Sequence, residues 1–315
     1  MINFLAPMYG MGVRIRNALY DRGTLPQGKL HGPVVSIGNL SVGGAGKTPF
    51  VLLLGELLKA RAVKFDVLSR GYGRKTRGLA LVNPAGAAAD FGDEPLLMAR
   101  HLDVPIVVGE DRHAAGKFAE KQFGSQLHLL DDGFQHRALY RDFDIVLVTP
   151  DDARDRLLPA GRLREPLGSL ARADAVVLTS GAAPDAFPLK EKLVWRVRRG
   201  IALKNAPSRP VVFCGIARPK NFLLQLRTAG VEPAAEAFFR DHHAYTESDI
   251  RELLSVRERS EADGFITTEK DAINLGGFLS ALQPLIVVPA KMELVDAANA
   301  MDTMLRRIEE RRGKA

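Results

Sequence analysis

The stretch from Pro33 to Leu57 constrains this chain more than any other. It reads P-V-V-S-I, then G-N-L-S-V-G-G-A-G-K-T, then P-F-V-L-L-L-G-E-L. An apolar run, a glycine-rich loop and an amphipathic helix in that order form the layout of a nucleotide-phosphate cradle. Gly43, Gly44 and Gly46 carry no Cβ, so the backbone running from Ser41 through Ala45 can curl. Its successive N–H groups then point at one anion, with a helix dipole behind them. Lys47 would reach the terminal phosphates of ATP, and the Thr48 hydroxyl a bridging Mg²⁺. Pro49 suits a first helical turn, where an N–H has no intrahelical partner. The strict pattern G-x-x-x-x-G-K-[ST] has glycine where this chain has Ser41. The alternative is a glycine-rich turn that merely ends in G-K-T, and the flanking strand and helix argue against it.

Around this unit, 315 residues suggest about two domains of roughly 150 residues each. Hydrophobic residues make up 46% of the chain, enough for a full core, and the single cysteine, Cys214, excludes an internal disulfide and fits a reducing compartment. No run approaches the ~18 apolar residues of a membrane span. The first residues do not read as a secretory signal, because Pro7 interrupts them and the arginines follow rather than precede. The net charge of +7 is concentrated at one end. Residues 1–78 hold 12 Lys/Arg against 3 Asp/Glu, leaving 32 against 34 for the rest. Such an excess suits an anionic partner or is simply a solvated basic face.

The first twenty residues place Phe4, Leu5, Met8, Met11, Ile15 and Leu19 at near-helical spacing, with Arg14, Arg16 and Arg22 beside or beyond them. That stripe fits either a helix lying in a bilayer interface or one docked on the core. After the helix from Pro49 to Ala60, which presents Leu52, Leu53, Leu57 and Leu58, strands are expected at F-D-V-L-S, L-A-L-V, P-I-V-V, L-H-L-L, D-I-V-L-V and D-A-V-V-L-T. Their lack of alternation predicts strands covered on both faces, hence an α/β fold with a phosphate-loop NTPase-like parallel sheet. E-K-L-V-W-R-V-R-R alternates like an exposed strand. K-N-A-P-S-R-P from Lys204 to Pro210 reads as a linker into a second, smaller α/β domain. The division expected is 1–204 and 205–315. The second part contains the strands V-V-F-C, G-F-I-T-T and P-L-I-V-V, a helix after Thr246, and a terminal helix with Val295, Ala298, Met301, Leu305 and Ile308 on one face.

Several side-chain groups could carry chemistry. L-H-L-L runs into D-D-G-F-Q-H, putting Asp131 and Asp132 at the carboxyl end of a buried strand, where the second half of a phosphate-loop site holds Mg²⁺. F-G-D-E-P gives Asp93 and Glu94 just ahead of a helix. Ordinary N-capping by Asp93 would explain them, and a capping carboxylate in a cleft can also accept a proton. D-H-H-A-Y supplies Asp241, His242 and His243 before a capping box at Thr246 and Asp249. By spacing alone, the histidines suit surface decoration, metal binding or acid–base work. Loops bearing Arg70, Tyr72 and Arg74, then Arg112, then Arg162, Arg164 and Glu165, offer guanidinium forks suited to phosphate oxygens.

The loop G-N-L-S-V-G-G-A-G-K-T-P, followed by S-R-G-Y-G-R, G-D-E-P, D-D-G-F-Q-H, L-P-A-G-R-L-R-E-P, D-H-H-A-Y and T-E-K-D, closely resembles the tetraacyldisaccharide 4′-kinases, the lipid A 4′-kinases of Gram-negative bacteria. The resemblance spans nearly the whole chain and includes the unusual loop with Ser41. It implies Mg·ATP-dependent phosphorylation of the 4′-hydroxyl of an acylated glucosamine disaccharide lipid by a cytoplasmic protein, peripheral at the cytoplasmic face of the inner membrane. No nucleic acid and no obligate protein partner are implied. Lys47 and Thr48 fall on the nucleotide phosphates and Mg²⁺, Asp131 and Asp132 on the acidic pair, and Asp93 on the catalytic aspartate. Its partner histidine is placed at His242, with His243 adjacent. Tyr72, Arg112, Gln135, His136, Arg164 and Glu165 fall on substrate and phosphate contacts, and Lys270 of T-E-K-D on no assigned role. The architecture implied is a larger phosphate-loop domain and a smaller α/β domain joined by a β-ribbon. Two rivals remain at this point. One is a phosphate-loop GTPase, although Thr268-Glu269-Lys270-Asp271 does not meet [NT]-K-x-D. The other is an ATP-gated nucleic-acid-binding ATPase, although no helix-turn-helix, zinc or RNP signature is present.

Overall fold

A computed structural model describes residues 2–201, 203 and 205–314, with side chains from Leu5 onward. Phe4 of the apolar stripe and Lys204 at the start of the expected linker lie outside that description. The chain runs α1 (Ile2–Asp21), β1 (Val34–Asn39), α2 (Lys47–Lys59), β2 (Phe65–Ser69), β3 (Ala80–Leu81), α3 (Ala88–Phe91), α4 (Asp93–Leu102), β4 (Ile106–Val108), α5 (Arg112–Phe123), β5 (Leu127–Asp131), β6 (Phe143–Val148), β7 (Ala175–Leu178) and β8 (Leu193–Gly200). It continues with β9 (Pro210–Cys214), α6 (Pro219–Thr228), β10 (Ala235–Phe238), α7 (Glu247–Arg259), β11 (Gly264–Thr268), α8 (Glu269–Leu275), β12 (Leu285–Val288), β13 (Lys291–Leu294) and α9 (Ala297–Gly313).

The larger sheet has the order β13-β8-β7-β6-β1-β5-β2-β4-β3. Its strands from β8 through β4 are parallel, and antiparallel β13 and β3 close the two edges. Every residue of β1, β2, β5, β6 and β7 is buried, because helices or loops cover both faces of those strands. One face packs under α2, α4 and α9 through Phe50, Leu54, Leu96 and Met304. The other packs under α5 through Leu68, Ala115 and Leu130. The chain leaves β1 towards β2 on one side and continues from β5 to β6 on the other. The carboxyl end of β1 is therefore a topological switch point, where open α/β sheets bind ligands.

Four parallel strands, β10-β9-β11-β12, make the smaller sheet. Expectation and structure differ in three places. L-A-L-V is a two-residue, partly exposed edge strand rather than a covered parallel one. The end of the chain, expected in the second domain, returns to the first, since β13 pairs with β8 and α9 buries Ala300, Met301, Met304 and Ile308 on the large core. Val295 is exposed because α9 begins only after Asp296, whose backbone is left-handed, and Ala298 is exposed on the outer face of the helix. The alternation in β8 is real, with Trp195 and Val197 buried between exposed neighbours.

At the amino end of the sheet, opposite the switch point, lies a buried ionic triad. His128 Nδ1 is 2.8 Å from Asp66 Oδ2, and Nε2 is 3.2 Å from Glu120 Oε1; His128 and Asp66 have no exposed side-chain surface. Burial opposes charge on His128, but hydrogen bonds and charge from Asp66 and then Glu120 outweigh it and raise the pKa. A raised histidine pKa contributes stability that is complete below the unfolded value of about 6.5 and is lost as pH rises through the folded value. Urea unfolding followed across that window should show this loss in the wild type and not in His128→Ala. The variant should also be about 3–5 kcal/mol less stable at neutral pH, because Asp66 is left buried without its partner.

Candidate active site

Between β1 and α2 the chain curls over the switch point. Gly43, Gly44 and Gly46 have φ of 76°, 65° and 87°, the left-handed region that glycine enters without penalty. Gly46 is the N-cap of α2 and no side chain caps the helix, so the first N–H groups stay available to an anion. Arg199 of β8 donates from Nη2 to the Ala45 carbonyl at 2.6 Å. A Cβ at Gly46 would fall 1.7 Å from that same nitrogen, so a side chain there would displace the Arg199 guanidinium as well as strain the backbone. Ser41, expected among the nucleotide contacts, lies fully buried beneath the loop. Its carbonyl accepts from Asn39 Nδ2 at 2.6 Å and its backbone bridges to Leu163. Ser41 therefore braces the loop from below.

Cationic groups at the loop are held by acceptors that the chain itself supplies. Lys47 Nζ donates to Asn39 Oδ1 at 2.9 Å and lies 3.3 Å from Asp132 Oδ1. Arg164 donates in fork geometry to both Asp132 oxygens at 2.9 Å, and also to Asn39 Oδ1 at 2.5 Å. Burial alone would raise the Asp132 pKa, but Lys47 and Arg164 hold it well below the usual carboxylate range. Its neighbour behaves in the opposite way. Burial, Glu94 and Asp132 push Asp131 up to about 7. Ser69 Oγ donates to Asp131 Oδ2 at 3.0 Å, while Oδ1 is buried with no hydrogen-bond partner. An orphaned carboxylate oxygen beside a phosphate loop, with Thr48 close in the chain, fits a divalent cation that takes its remaining ligands from phosphates.

The N-cap position expected for Asp93 belongs instead to Gly92, with φ 91°. Asp93 is the first residue of α4 and turns its carboxylate across to the smaller unit. His242 Nδ1 lies 3.0 and 2.9 Å from its two oxygens, and Asn274 Nδ2 donates at 3.2 Å. Burial would raise the Asp93 pKa, yet His242 and Lys270 lower it. Burial would lower the His242 pKa, yet Asp93 raises it. His242 has φ 59°, uncommon for a non-glycine residue and a feature that clusters at functional sites. His243 faces away, 3.0 Å from Asp249 and stacked on Phe239 at 4.6 Å.

These groups share one cavity of about 990 Å³, lined by the loop from Val42 to Thr48, by Asp131 and Asp132, and by His242. Asp93 is only 4% exposed and lies directly behind His242. The ring of Tyr72 stands 5.2 Å from that of His242. Arg112 is buried and its Nε has no partner. Gln135 donates to the Asn39 carbonyl at 3.1 Å. His136 is pushed down to about 4 by burial and by Arg112, Arg141 and Arg70. Glu165 does not reach the cavity. It is 1% exposed and is held by Asn17 at 2.7 Å and Arg172 at 3.0 Å, so it anchors α1 instead. Sequence reasoning misses Asn39, Arg199 and Lys270 as functional residues. The only cue to Asn39 is a polar residue closing an otherwise apolar strand.

A family model described as LpxK, tetraacyldisaccharide-1-P 4′-kinase, matches residues 1–309. The chain belongs to the tetraacyldisaccharide-1-P 4′-kinase family. A family member from Koribacter versatilis, named tetraacyldisaccharide 4′-kinase, is 51% identical over an alignment of 322 residues, covering 99% of this chain and 100% of the relative. One of the same name from Geobacter metallireducens is 37% identical, covering 94% of each. The crystal structure of an "apo" form of LpxK from Aquifex aeolicus in complex with ATP superimposes with a TM-score of 0.79. It is 34% identical and covers 96% of this chain and 97% of that one. The phosphate-loop kinase fold is thus that of the tetraacyldisaccharide-1-P 4′-kinases, and neither rival reading is favoured.

Asn39 is the shared acceptor for Lys47 and Arg164, so its loss should disorder both without emptying the core. Asn39→Ala should bind a non-hydrolysable nucleoside triphosphate analogue about tenfold more weakly, ~1.4 kcal/mol, in titration calorimetry.

Proposed function

We propose that the protein transfers the γ-phosphate of ATP to the 4′-hydroxyl of a tetraacylated glucosamine disaccharide 1-phosphate. The observation that carries this reading is a single cavity lined both by the phosphate loop and by His242 of the Asp93–His242 pair, in a chain that the family model matches almost end to end. The larger unit, from the start to about residue 204 together with the returning β13 and α9, supplies the nucleotide site. The smaller unit, β9 to β12, closes the cleft, and the adjacent β8 and β13 form the ribbon between them.

Loop N–H groups from Gly43 to Gly46, with Lys47, grip the β- and γ-phosphates. Thr48, Asp131 and Asp132 would hold Mg²⁺, whose charge would offset that of the phosphate oxygens. The attacking hydroxyl forms the new O–P bond as the bond from the γ-phosphorus to the β-γ bridging oxygen breaks, and ADP leaves. A sugar hydroxyl is a poor nucleophile and must lose its proton as it attacks. The Asp93–His242 pair receives that proton. Asp93 holds the histidine Nδ1–H, and His242 presents the pair to the cavity. Tyr72, Arg112, Gln135, His136 and Arg164 contact the disaccharide and its phosphate. Neutral His136 and the free Nε of Arg112 suit a hydroxyl-rich anion.

We infer association with the cytoplasmic face of a membrane, a reading that the exposed face of α1 supports. No helix among the described residues is long and apolar enough to cross a membrane, but Leu5, Met8, Met11 and Ile15 project into solvent. The opposite face of α1 is docked. Tyr9 donates to the Arg164 carbonyl at 3.0 Å, Arg16 to the Gln135 carbonyl at 2.7 Å, and Asn17 to Glu165. The two readings of the N-terminal stripe thus apply to two faces of one helix. An apolar face beside Arg14 and Arg22 suits an anionic lipid interface.

The decisive test is incubation with Mg·ATP and the acylated disaccharide 1-phosphate, with the new phosphate located by mass spectrometry; absence of a 4′-phosphate overturns the reading. Asp93→Asn should lower turnover by about 10²–10⁴-fold and leave ATP affinity nearly intact, and near-normal turnover would remove Asp93 from proton transfer. Replacing Leu5, Met8, Met11 and Ile15 by serine should reduce co-sedimentation with anionic vesicles while the melting temperature holds. Deleting α1 would be a poorer test, because it also strips hydrogen bonds from the catalytic loops.

A further inference from the structure

Lys270 has no role in the chemistry so far, yet it stands at the point where the two units meet. It is the second residue of α8, at the carboxyl end of β11, and it lines the same cavity as His242. Its Nζ lies 3.0 Å from Asp241 Oδ1, 3.5 Å from Glu94 Oε1 and 3.7 Å from Asp93 Oδ2. It also donates to His242 Nε2 at 3.3 Å. One ammonium so surrounded by carboxylates is poorly placed to serve a phosphate, because its charge is already met.

Its effect on His242 is different. The groups facing that imidazole are Asp93 from α4, with Glu94 beyond it, Asp241 from its own loop, Lys270 and Asn274 from α8, and the ring of Tyr72. Every charged group in this set except Lys270 is a carboxylate, and each carboxylate favours the imidazolium. An imidazolium carries a proton on Nε2 as well as on Nδ1 and cannot accept another. A cation donating to Nε2 disfavours that proton and leaves Nδ1–H directed at Asp93.

We propose that Lys270 is a positioning residue that favours the neutral, Nδ1-protonated form of His242, its ammonium giving up the Nε2 lone pair to the proton of the attacking hydroxyl. The inference rests on the proposed kinase reaction for its catalytic meaning, but not for its electrostatic content. The nearer Asp241 carboxylate keeps the ammonium in place when a hydroxyl takes over Nε2. The carboxylates prevail overall: burial lowers the His242 pKa, but Asp93 and Asp241 raise it above its ordinary value, and Lys270 limits that rise.

The test compares Lys270→Met, which keeps length and loses charge, with Lys270→Arg, which keeps charge. In the ligand-free protein, the His242 ring resonances followed by NMR should titrate at higher pH in Lys270→Met than in the wild type, and close to the wild type in Lys270→Arg. In kinase assays the acid limb of kcat/KM should move to higher pH in Lys270→Met. Activity should fall on the order of tenfold near pH 6.5 and stay within about twofold of wild type near pH 9. An unmoved His242 titration overturns the inference, and so does an even loss at every pH, which is what a purely structural clamp would give. If Lys270→Met does not fold, Lys270→Gln takes its place in the same NMR titration, where a raised His242 pKa supports the inference and an unmoved one overturns it. A wild-type protein that makes no phosphorylated disaccharide would sink the kinase reading alone, since the titration does not depend on it.

Discussion

Asp132 balances the charge on which the phosphate loop depends. Lys47 and Arg164 are both largely buried beside it, and two such cations would repel each other strongly in a site of reduced dielectric. The carboxylate takes Arg164 in fork geometry and leaves one oxygen within reach of Lys47. Through it the end of β5, the start of α2 and the 162–164 segment are pinned to one point. That segment also forms a backbone lattice with the loop, since the Val42 N–H donates to the Arg162 carbonyl and the Arg164 N–H to the Leu40 carbonyl. The curl is therefore shaped by the protein's own charges before any nucleotide arrives, which lowers the cost of ordering it around a ligand.

Where the larger and smaller units meet at the cleft, charged contacts add to the apolar packing of Ile273 on the large core. Asp93 and Glu94 come from α4, Asp241 and His242 from the loop after β10, and Lys270 and Asn274 from α8. The left-handed backbone of His242 is held by its N–H to the Gly215 carbonyl. Gly215 is held in turn by Asp271, which also accepts from Tyr245. The strain at His242 is thus supported by a buried network within the smaller unit, while its side chain reaches the larger one. In the proposed reaction such a cleft would open for the substrate and assemble the Asp93–His242 pair on closing.

The central sheet is legible in the sequence because its strands are buried on both faces and so write continuous apolar runs. The same physics hides the edges. β3 is two residues long, β13 reads K-M-E-L with only alternate residues buried, and β10 reads A-E-A-F with no residue fully buried. The return of β13 to β8 joins residues nearly a hundred positions apart, and local patterning holds no information about such a pairing. Site residues divide in the same way. The glycines, Lys47 and Thr48 stand in one compact motif and the aspartate pair in another, each legible from its own spacing. Arg199 and Lys270 meet partners distant in the chain, as Asn39 does with Arg164, and Glu165 next to Arg164 points into a different environment. The choice between His242 and His243 turns on a left-handed backbone at one of two adjacent residues, which no spacing rule predicts.

In the proposed reaction the helix at the amino end would bring lipid and catalysis into one frame. Its exposed apolar residues lie on the face opposite Tyr9, Arg16 and Asn17, whose hydrogen bonds end on the carbonyls of Arg164 and Gln135 and on Glu165. Arg164 binds Asp132, and Gln135 binds the Asn39 carbonyl, so α1 is only a few bonds from Lys47. In the proposed reaction the acyl chains stay in the interface while the sugar reaches the γ-phosphate, and the depth of that interface relative to the loop sets how far the sugar must extend. A helix tethered loosely to the domain would leave that distance undefined. One hydrogen-bonded into the walls of the cavity fixes it, which accounts physically for polar contacts concentrated on the docked face of a helix whose other face is bare hydrocarbon.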